Sequence, residues 1–338
     1  MSTYENELEV ALEAVRRAAL VCQRVQGKIV PAPTGDHVMS KTDRSPVTVA
    51  DFASQAVVCA ALRDAFPEDP IVAEEDATAL REGGPNDLEA QRVRAAVREE
   101  LQSFGSPSEG DVLTWIDYGS GAASAAASRR FWTLDPIDGT KGFLRGEQYA
   151  IALALIVEGR LTVAALACPN LPLRGAPDDG SVYLAVRYAG AAAMPLRAGG
   201  EARAVNVSSC GDIADFRVCE SVESGHSRHD ASARLAEILG ISASPVRVDS
   251  QAKYAVVARG DAELYLRLPT RSDYREKIWD HAAGALVVQE AGGMVTDVRG
   301  KLLDFTRGHE LQANRGVVVS HGIEHGRVVA ALRELGVK

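Results

Sequence analysis

Apolar residues recur at spacings of three and four near the start of the chain, at Leu8, Leu12, Val15, Ala19, Cys22 and Val25. One face of a helix has this spacing, which predicts a helix over residues 3–26 with Ser2 and Glu5 placed to box its start. Beyond a loop rich in Pro and Gly at 30–36, a second helix is predicted over 49–65. It buries Ala53, Val57, Ala61 and Leu62 and is ended by Phe66-Pro67. The short apolar run at 71–73 reads as a strand that delivers Glu74 and Glu75 at its exit. A charged helical stretch follows near 89–103, and the Gly-, Ser- and Ala-rich run at 119–128 reads as a mobile connection.

From Phe131 the pattern turns to strands. Phe131, Trp132 and Leu134 open one that breaks at Asp135-Pro136 and turns again at Asp138-Gly139. Strands over 148–157 and 161–167 are joined by a turn at Glu158-Gly159-Arg160, with more strands near 181–187 and 203–207. The last third alternates strand 217–220, helix 229–239, strand 245–248, helix 251–259, strand 262–268 and helix 279–291, then strands 294–297 and 316–320 and helix 323–335. Such alternation predicts a mixed or mostly parallel sheet covered by helices. The expected fold class is α/β, with an α+β part over 1–170, an α/β part over 171–338, stacked layers of helix and sheet, and a cleft between the parts.

The composition is that of an ordinary globular enzyme, 46% hydrophobic and 25% charged, which excludes a largely disordered chain. A net charge of -9 and a pI near 5.4 exclude broad electrostatic binding to nucleic acid. A phosphorylated small molecule remains compatible if metal ions reverse the local sign. The five cysteines are scattered and set mostly among apolar neighbours, with no CxxC pair or Cys/His cluster for zinc, so they read as reduced core residues. The longest apolar run, 149–157, is too short to span a bilayer. Residues 1–30 carry Glu5, Glu7, Glu9 and Glu13 without a signal-type apolar core. The expectation is a cytoplasmic monomer without membrane contact.

Candidate chemistry centres on FWTLDPIDGTKGFLRG, residues 131–146. Asp135 and Asp138, two short carboxylates flanking the Ile137 carbonyl on a Pro-constrained turn, suit a hard octahedral cation such as Mg²⁺. Asp-Pro and Asp-Gly are equally plain turn formers. The N–H groups of Gly139-Thr140-Lys141-Gly142 and the Thr140 hydroxyl add what a phosphate beside a metal requires. Other acids carry two readings as well. Asp51, three residues after Thr48, is either a capping-box partner or a site residue. Asp280 is either a favourable charge at a helix start or a ligand. Adjacent Glu74 and Glu75 at a strand exit repel each other, and strand exits commonly face sites. Together, Asp51, Glu74, Asp135, Asp138 and Asp280 would repel one another strongly without cations.

SPVTVAD (45–51), VAEE (72–75), WTLDPIDGTKGFLRGEQYA (132–150), SVESGHS (221–227), DSQAKY (249–254), LYLRLP (264–269) and IWDHAAGALVVQEAGG (278–293) closely resemble the 3′(2′),5′-bisphosphate nucleotidases of the inositol monophosphatase superfamily. The resemblance runs in order from about residue 41 to 320. DPIDGT with a WDHAAG-type segment marks the superfamily, and DGTKGFLRGEQ, SQAKY and YLRLP mark the nucleotidase branch. It implies the layered sandwich of the inositol monophosphatase and sugar phosphatase type. It also implies two or three Mg²⁺ ions, held by Glu74, Asp135, the Ile137 carbonyl, Asp138 and Asp280. Asp51 and Thr140 would activate water, and Thr140, His226, Ser250, Lys253, Arg267 and Asp280 would contact substrate. The residue types alone leave His226 an ordinary surface or core histidine, as they do His281, and Lys253 and Arg267 solvated charges. The implied reaction removes the 3′-phosphate of adenosine 3′,5′-bisphosphate, giving AMP, and of its sulfated form, with lithium sensitivity and a place in sulfur assimilation. The alternatives are an inositol polyphosphate 1-phosphatase and an impaired nucleotide-sensing protein.

Overall fold

A computed structural model describes residues 3–29, 38–40, 46–82, 88–175, 180–197, 200–222, 229–269, 271 and 273–337. In chain order the first elements are α1 (Glu5–Ile29), β1 (Val38–Ser40), β2 (Pro46–Thr48), α2 (Val49–Ala65), β3 (Ile71–Ala73), α3 (Thr78–Glu82), α4 (Leu88–Glu100), α5 (Glu109–Asp117) and α6 (Ala122–Ala127). Then follow β4 (Arg130–Asp138), α7 (Thr140–Leu144), β5 (Ala150–Val157), β6 (Arg160–Cys168), β7 (Ser181–Val186), β8 (Gly190–Pro195) and β9 (Arg203–Ala204). The remainder is β10 (Val218–Glu220), α8 (His229–Leu239), β11 (Val246–Arg247), α9 (Ala252–Ala258), β12 (Leu264–Arg267), α10 (Ala282–Glu290), β13 (Met294–Thr296), β14 (Val317–Ser320) and α11 (His325–Glu334).

Two larger sheets organise the described residues. The first runs β3-β4-β5-β6-β7-β8-β9 and the second β11-β10-β12-β14-β13. In the first sheet β3 and β4 are parallel and the other neighbours antiparallel. The second is mixed, with β10 parallel to β11 and β12 and antiparallel pairing at β14. Period-two alternation divides each strand between two cores. Trp132, Leu134, Leu153, Leu155 and Val163 face α1 and α2, whereas Phe131, Ala152, Ala154, Ala164 and Leu166 pack with α9, α10 and the inner face of the second sheet. That sheet's outer residues, among them Leu264, Leu266 and Val318, join α8 and α11. The order of layers is helix, sheet, helix, sheet, helix, the α/β sandwich expected. Small side chains at the central layer, Ala152, Ala154 and Ala164 against Ala282, Ala283 and Ala285, let helix and sheet backbones approach closely.

Several expectations need correction. The first sheet continues through Ala204, so a boundary at residue 170 falls inside it and the passage to the second sheet comes later. β4 does not break at Asp135. It extends to Asp138 with a register shift between Asp135 and Asp138, because Pro136 has no N–H for the ladder. The run at 119–128 is packed: Gly121 donates to the Ile71 carbonyl at 2.8 Å and opens α6. A Cβ on Gly121 would lie 2.6 Å from that oxygen, so this glycine serves close approach and not mobility. Strand β8 and helices α3 and α5 lie outside the predicted elements. Ser2 and residues 30–36 lie outside the described residues. Among the described residues no helix is long and apolar enough to cross a membrane.

Candidate active site

Parallel pairing of β3 with β4 aligns Ala73 with Leu134, and the Glu74 N–H donates to the Leu134 carbonyl at 3.2 Å. Glu74 and Asp135 therefore leave neighbouring strands side by side, although 61 positions separate them. Gln55 settles which of the two adjacent glutamates faces the site: its carboxamide clamps the backbone N–H and carbonyl of Glu75, while Glu74 lines the cleft. Within the bulge, the Pro136 carbonyl accepts from Ser54 Oγ at 2.8 Å. Gly139 then turns the chain with φ 91° into α7, and a Cβ there would approach Ser250 Cβ to 2.9 Å. The same turn brings Thr140 back over the Ile137 carbonyl, 3.3 Å from its hydroxyl.

From the other sheet, Gln251 ties the two halves together. Its N–H donates to Asp138 Oδ2 at 2.6 Å and its side-chain amide to the Trp279 carbonyl at 2.9 Å, which places Asp280 opposite the bulge. The resulting cavity of about 180 Å³ is lined by Glu74, Asp135, Ile137, Asp138, Thr140, Ser250, Lys253, Arg267 and Asp280 among others. Asp51 stands just behind. Its Oδ2 accepts from the Thr48 N–H and hydroxyl at 2.8 and 2.7 Å, and its Oδ1 lies 3.4 Å from the Thr140 hydroxyl. The capping box and the contact to Thr140 thus use different oxygens of one carboxylate, so the cap leaves Oδ1 for Thr140. His226 lies outside the described residues.

The electrostatics ask for a cation. Asp135 is buried and neither of its carboxylate oxygens has a hydrogen-bond partner. A buried carboxylate without partners is costly unless a positive charge meets it. Burial, then the charges of Glu74 and Asp138, push its pKa well up, and burial followed by Asp138 does the same to Asp280. Glu74, Asp135, Asp138, Asp280 and the Ile137 carbonyl form an all-oxygen donor set, which fits a hard cation. Glu276, Asp280 and His281 also bring ligand atoms within 4.8 Å of one another. Both His281 nitrogens and Glu276 Oε2 are engaged in hydrogen bonds, so that trio is a poor second metal site.

Two cations, Lys253 and Arg267, line the same cavity. Lys253 is the one charged residue in α9, a helix buried along its whole length. Its pKa is lowered, chiefly by burial and against the pull of Asp138, and its ammonium lies 5.2 Å from the centre of the Tyr265 ring. The reading of Lys253 as a solvated charge is therefore excluded. Arg267 is mostly buried and pairs through Nε with Glu276 Oε2 at 3.2 Å. Ser250 carries a φ of 66° at the start of this segment, a left-handed conformation that costs roughly 1–2 kcal/mol and concentrates at functional sites. Sequence reasoning passed over Ser221, Asp249, Gln251, Tyr265 and Glu276 as single residues. Most lie inside or beside the quoted motifs, but no spacing rule marks a side chain that works by bridging two loops.

Known proteins resemble this chain in sequence and in fold. A family model described as the inositol monophosphatase family matches residues 3–336. The chain is 42% identical to a 3′(2′),5′-bisphosphate nucleotidase of Emericella nidulans, over 98% of this chain and 99% of that one. It is 43% identical to one from Schizosaccharomyces pombe, over 94% and 92%, and 44% identical to one from Oryza sativa, over 94% and 91%. Among solved structures, a Thermotoga maritima IMPase superposes with a TM-score of 0.65 at 20% identity, covering 98% of both chains. A bacterial inositol monophosphatase family member from Bacteroides thetaiotaomicron gives 0.58 at 16% identity, over 94% and 98%. At these identities the structural matches speak for the fold.

Proposed function

This chain belongs to the inositol monophosphatase family, and from that premise we propose that it is a phosphatase that removes the 3′-phosphate of adenosine 3′,5′-bisphosphate, giving AMP. Its sulfated analogue is a second expected substrate. The family is metal-dependent. The observation that carries the reading is one cavity lined both by carboxylates, among them Asp135, buried without partners, and by the cations Lys253 and Arg267. A substrate with two phosphates matches that lining, one phosphate meeting cations held by the acids and the other the two basic side chains. The three relatives named above, each at least 42% identical over nearly the whole chain, support the nucleotide over an inositol phosphate.

Glu74, Asp135, the Ile137 carbonyl, Asp138 and Asp280 would hold divalent cations, Mg²⁺ in two or three positions. Bound there, these ions supply Lewis-acid polarisation of the phosphoryl oxygens and a more acidic water. Thr140 and Asp51 handle the proton. Thr140 directs its hydroxyl hydrogen to Asp51 Oδ1, so the proton of the attacking water can pass to Thr140 Oγ1 as the Thr140 proton passes to the Asp51 carboxylate. Lys253 and Arg267 hold the phosphate that stays, and Ser250 sits beside them. Placement of His226 among these contacts rests on its motif alone.

A phosphate-release panel with Mg²⁺ tests the reading, comparing adenosine 3′,5′-bisphosphate, inositol 1,4-bisphosphate and inositol 1-phosphate. Preference for either inositol substrate overturns it. Arg267→Ala should lower kcat/KM for the nucleotide bisphosphate by roughly 10- to 150-fold, mainly through KM, the effect of one charge-assisted hydrogen bond. Adenosine 3′-monophosphate lacks the second phosphate, so its already poor turnover should change little. Equal losses on both substrates would show that Arg267 does not read the second phosphate. Li⁺ is expected to inhibit in an uncompetitive or mixed manner, since a monovalent ion among four carboxylates leaves phosphoryl charge less compensated. Unchanged rates across a LiCl titration, against KCl at equal ionic strength, count against a lithium-sensitive site.

A further inference from the structure

Behind Arg267 lies a buried chain of hydrogen bonds that the reaction scheme above does not use. Tyr254 OH meets His281 Nδ1 at 2.8 Å, His281 Nε2 meets Glu276 Oε2 at 3.2 Å, and the same oxygen faces Arg267 Nε at 3.2 Å. We propose that Glu276, backed by His281 and Tyr254, is a positioning residue that aims the Arg267 guanidinium at the uncleaved phosphate and so sets the preference for a bisphosphate. This rests on the substrate reading given above and names a further determinant of it.

Three observations carry the proposal. First, Glu276 is buried, and a buried carboxylate is tolerated when charged donors meet it. Arg267 and His281 hold its carboxyl below the usual range against the opposing effect of burial. Second, the contact uses Nε of Arg267, so the terminal amino groups of the guanidinium remain for the cavity, which Arg267 lines, and for Tyr274. Third, the chain is held from behind. Tyr254 packs edge-on against Tyr265 with ring centres 5.2 Å apart, and it crosses α10 at Gly284, where a Cβ would lie 2.3 Å from the Tyr254 ring. A fixed Tyr254 fixes His281: with the Tyr254 O–H donating to Nδ1, the hydrogen on Nε2 is donated to Glu276 Oε2. DSQAKY, LYLRLP and the WDHAAG segment are thereby joined into one device, with Glu276 as its hub.

The test measures kcat and KM for adenosine 3′,5′-bisphosphate and adenosine 3′-monophosphate in the Mg²⁺-supplied protein. Glu276→Gln should lower kcat/KM for the bisphosphate about tenfold, mostly in KM, with little change for the monophosphate. Glu276→Asp should recover part of the loss. In an Arg267→Ala background Glu276→Gln should add nothing, because the cycle removes the group through which it acts. Tyr254→Phe deletes a single hydroxyl and should show the same pattern at about threefold, which keeps the test alive if the Glu276 variants fold poorly. Equal loss on both substrates, or an undiminished loss without Arg267, overturns the proposal. A wild type with no preference for the bisphosphate sinks the substrate reading itself. A preference that Arg267→Ala abolishes and both Glu276→Gln and Tyr254→Phe leave intact sinks the positioning role alone.

Discussion

Asp135→Asn is expected to stabilise the metal-free protein while removing most of its activity. Both oxygens of Asp135 are buried without partners and its pKa is raised by burial, then by Glu74 and Asp138. The sign follows from linkage. A carboxyl whose folded pKa lies above its unfolded value, about 3.9, contributes its full stability below that value and loses it as pH rises through the folded pKa. Melting temperatures of the metal-free variant and wild type should therefore be similar near pH 4 and diverge as pH rises, with the variant the higher. Activity should go the other way, because an amide is a neutral and poorer ligand for a hard cation. Several kcal/mol of lost transition-state stabilisation correspond to a fall of roughly 10²–10³-fold or more. Asp138→Asn should lose activity similarly but gain less stability, since Asp138 already accepts the Gln251 N–H. A variant Asp135→Asn with near wild-type turnover, or with a melting curve that tracks wild type at every pH, removes Asp135 from the metal site.

Thr140→Ala should lower kcat by roughly 10²–10⁴, the span of lost general-base assistance, with the apparent Mg²⁺ affinity nearly unchanged. The geometry makes Thr140 the cleaner probe of water activation. Asp51 also receives two hydrogen bonds from Thr48 at the start of α2, so changing it disturbs a helix cap together with the chemistry. The Thr140 hydroxyl reaches both Asp51 Oδ1 and the Ile137 carbonyl but has one proton to give. Thr140→Ser keeps the hydroxyl and should recover part of the rate. An alanine variant that binds Mg²⁺ much more weakly would show instead that Thr140 holds the Ile137 turn in shape.

By itself the sequence marked most of the elements and the candidate chemical groups at their ends. Helical spacing marked α1 and α2, apolar runs marked β5 and β6, and the later alternation of strand and helix marked the second sheet, because these patterns are local consequences of side-chain period. The motifs named nine cavity-lining residues in advance. What only tertiary structure decided was the meaning of groups whose partners are distant in the chain. Period cannot tell that Pro136 sits in a bulge within β4, that Gly121 is pressed on Ile71, or that one oxygen of Asp51 caps a helix while the other faces Thr140. Nor can it show that Gln55 holds the backbone of Glu75 while Glu74 lines the cavity. Each depends on which surfaces two sheets bring together. Burial is the physical reason in the end: the charge of Asp135, the pKa of Lys253 and the hold of Glu276 on Arg267 follow from water being excluded at those positions.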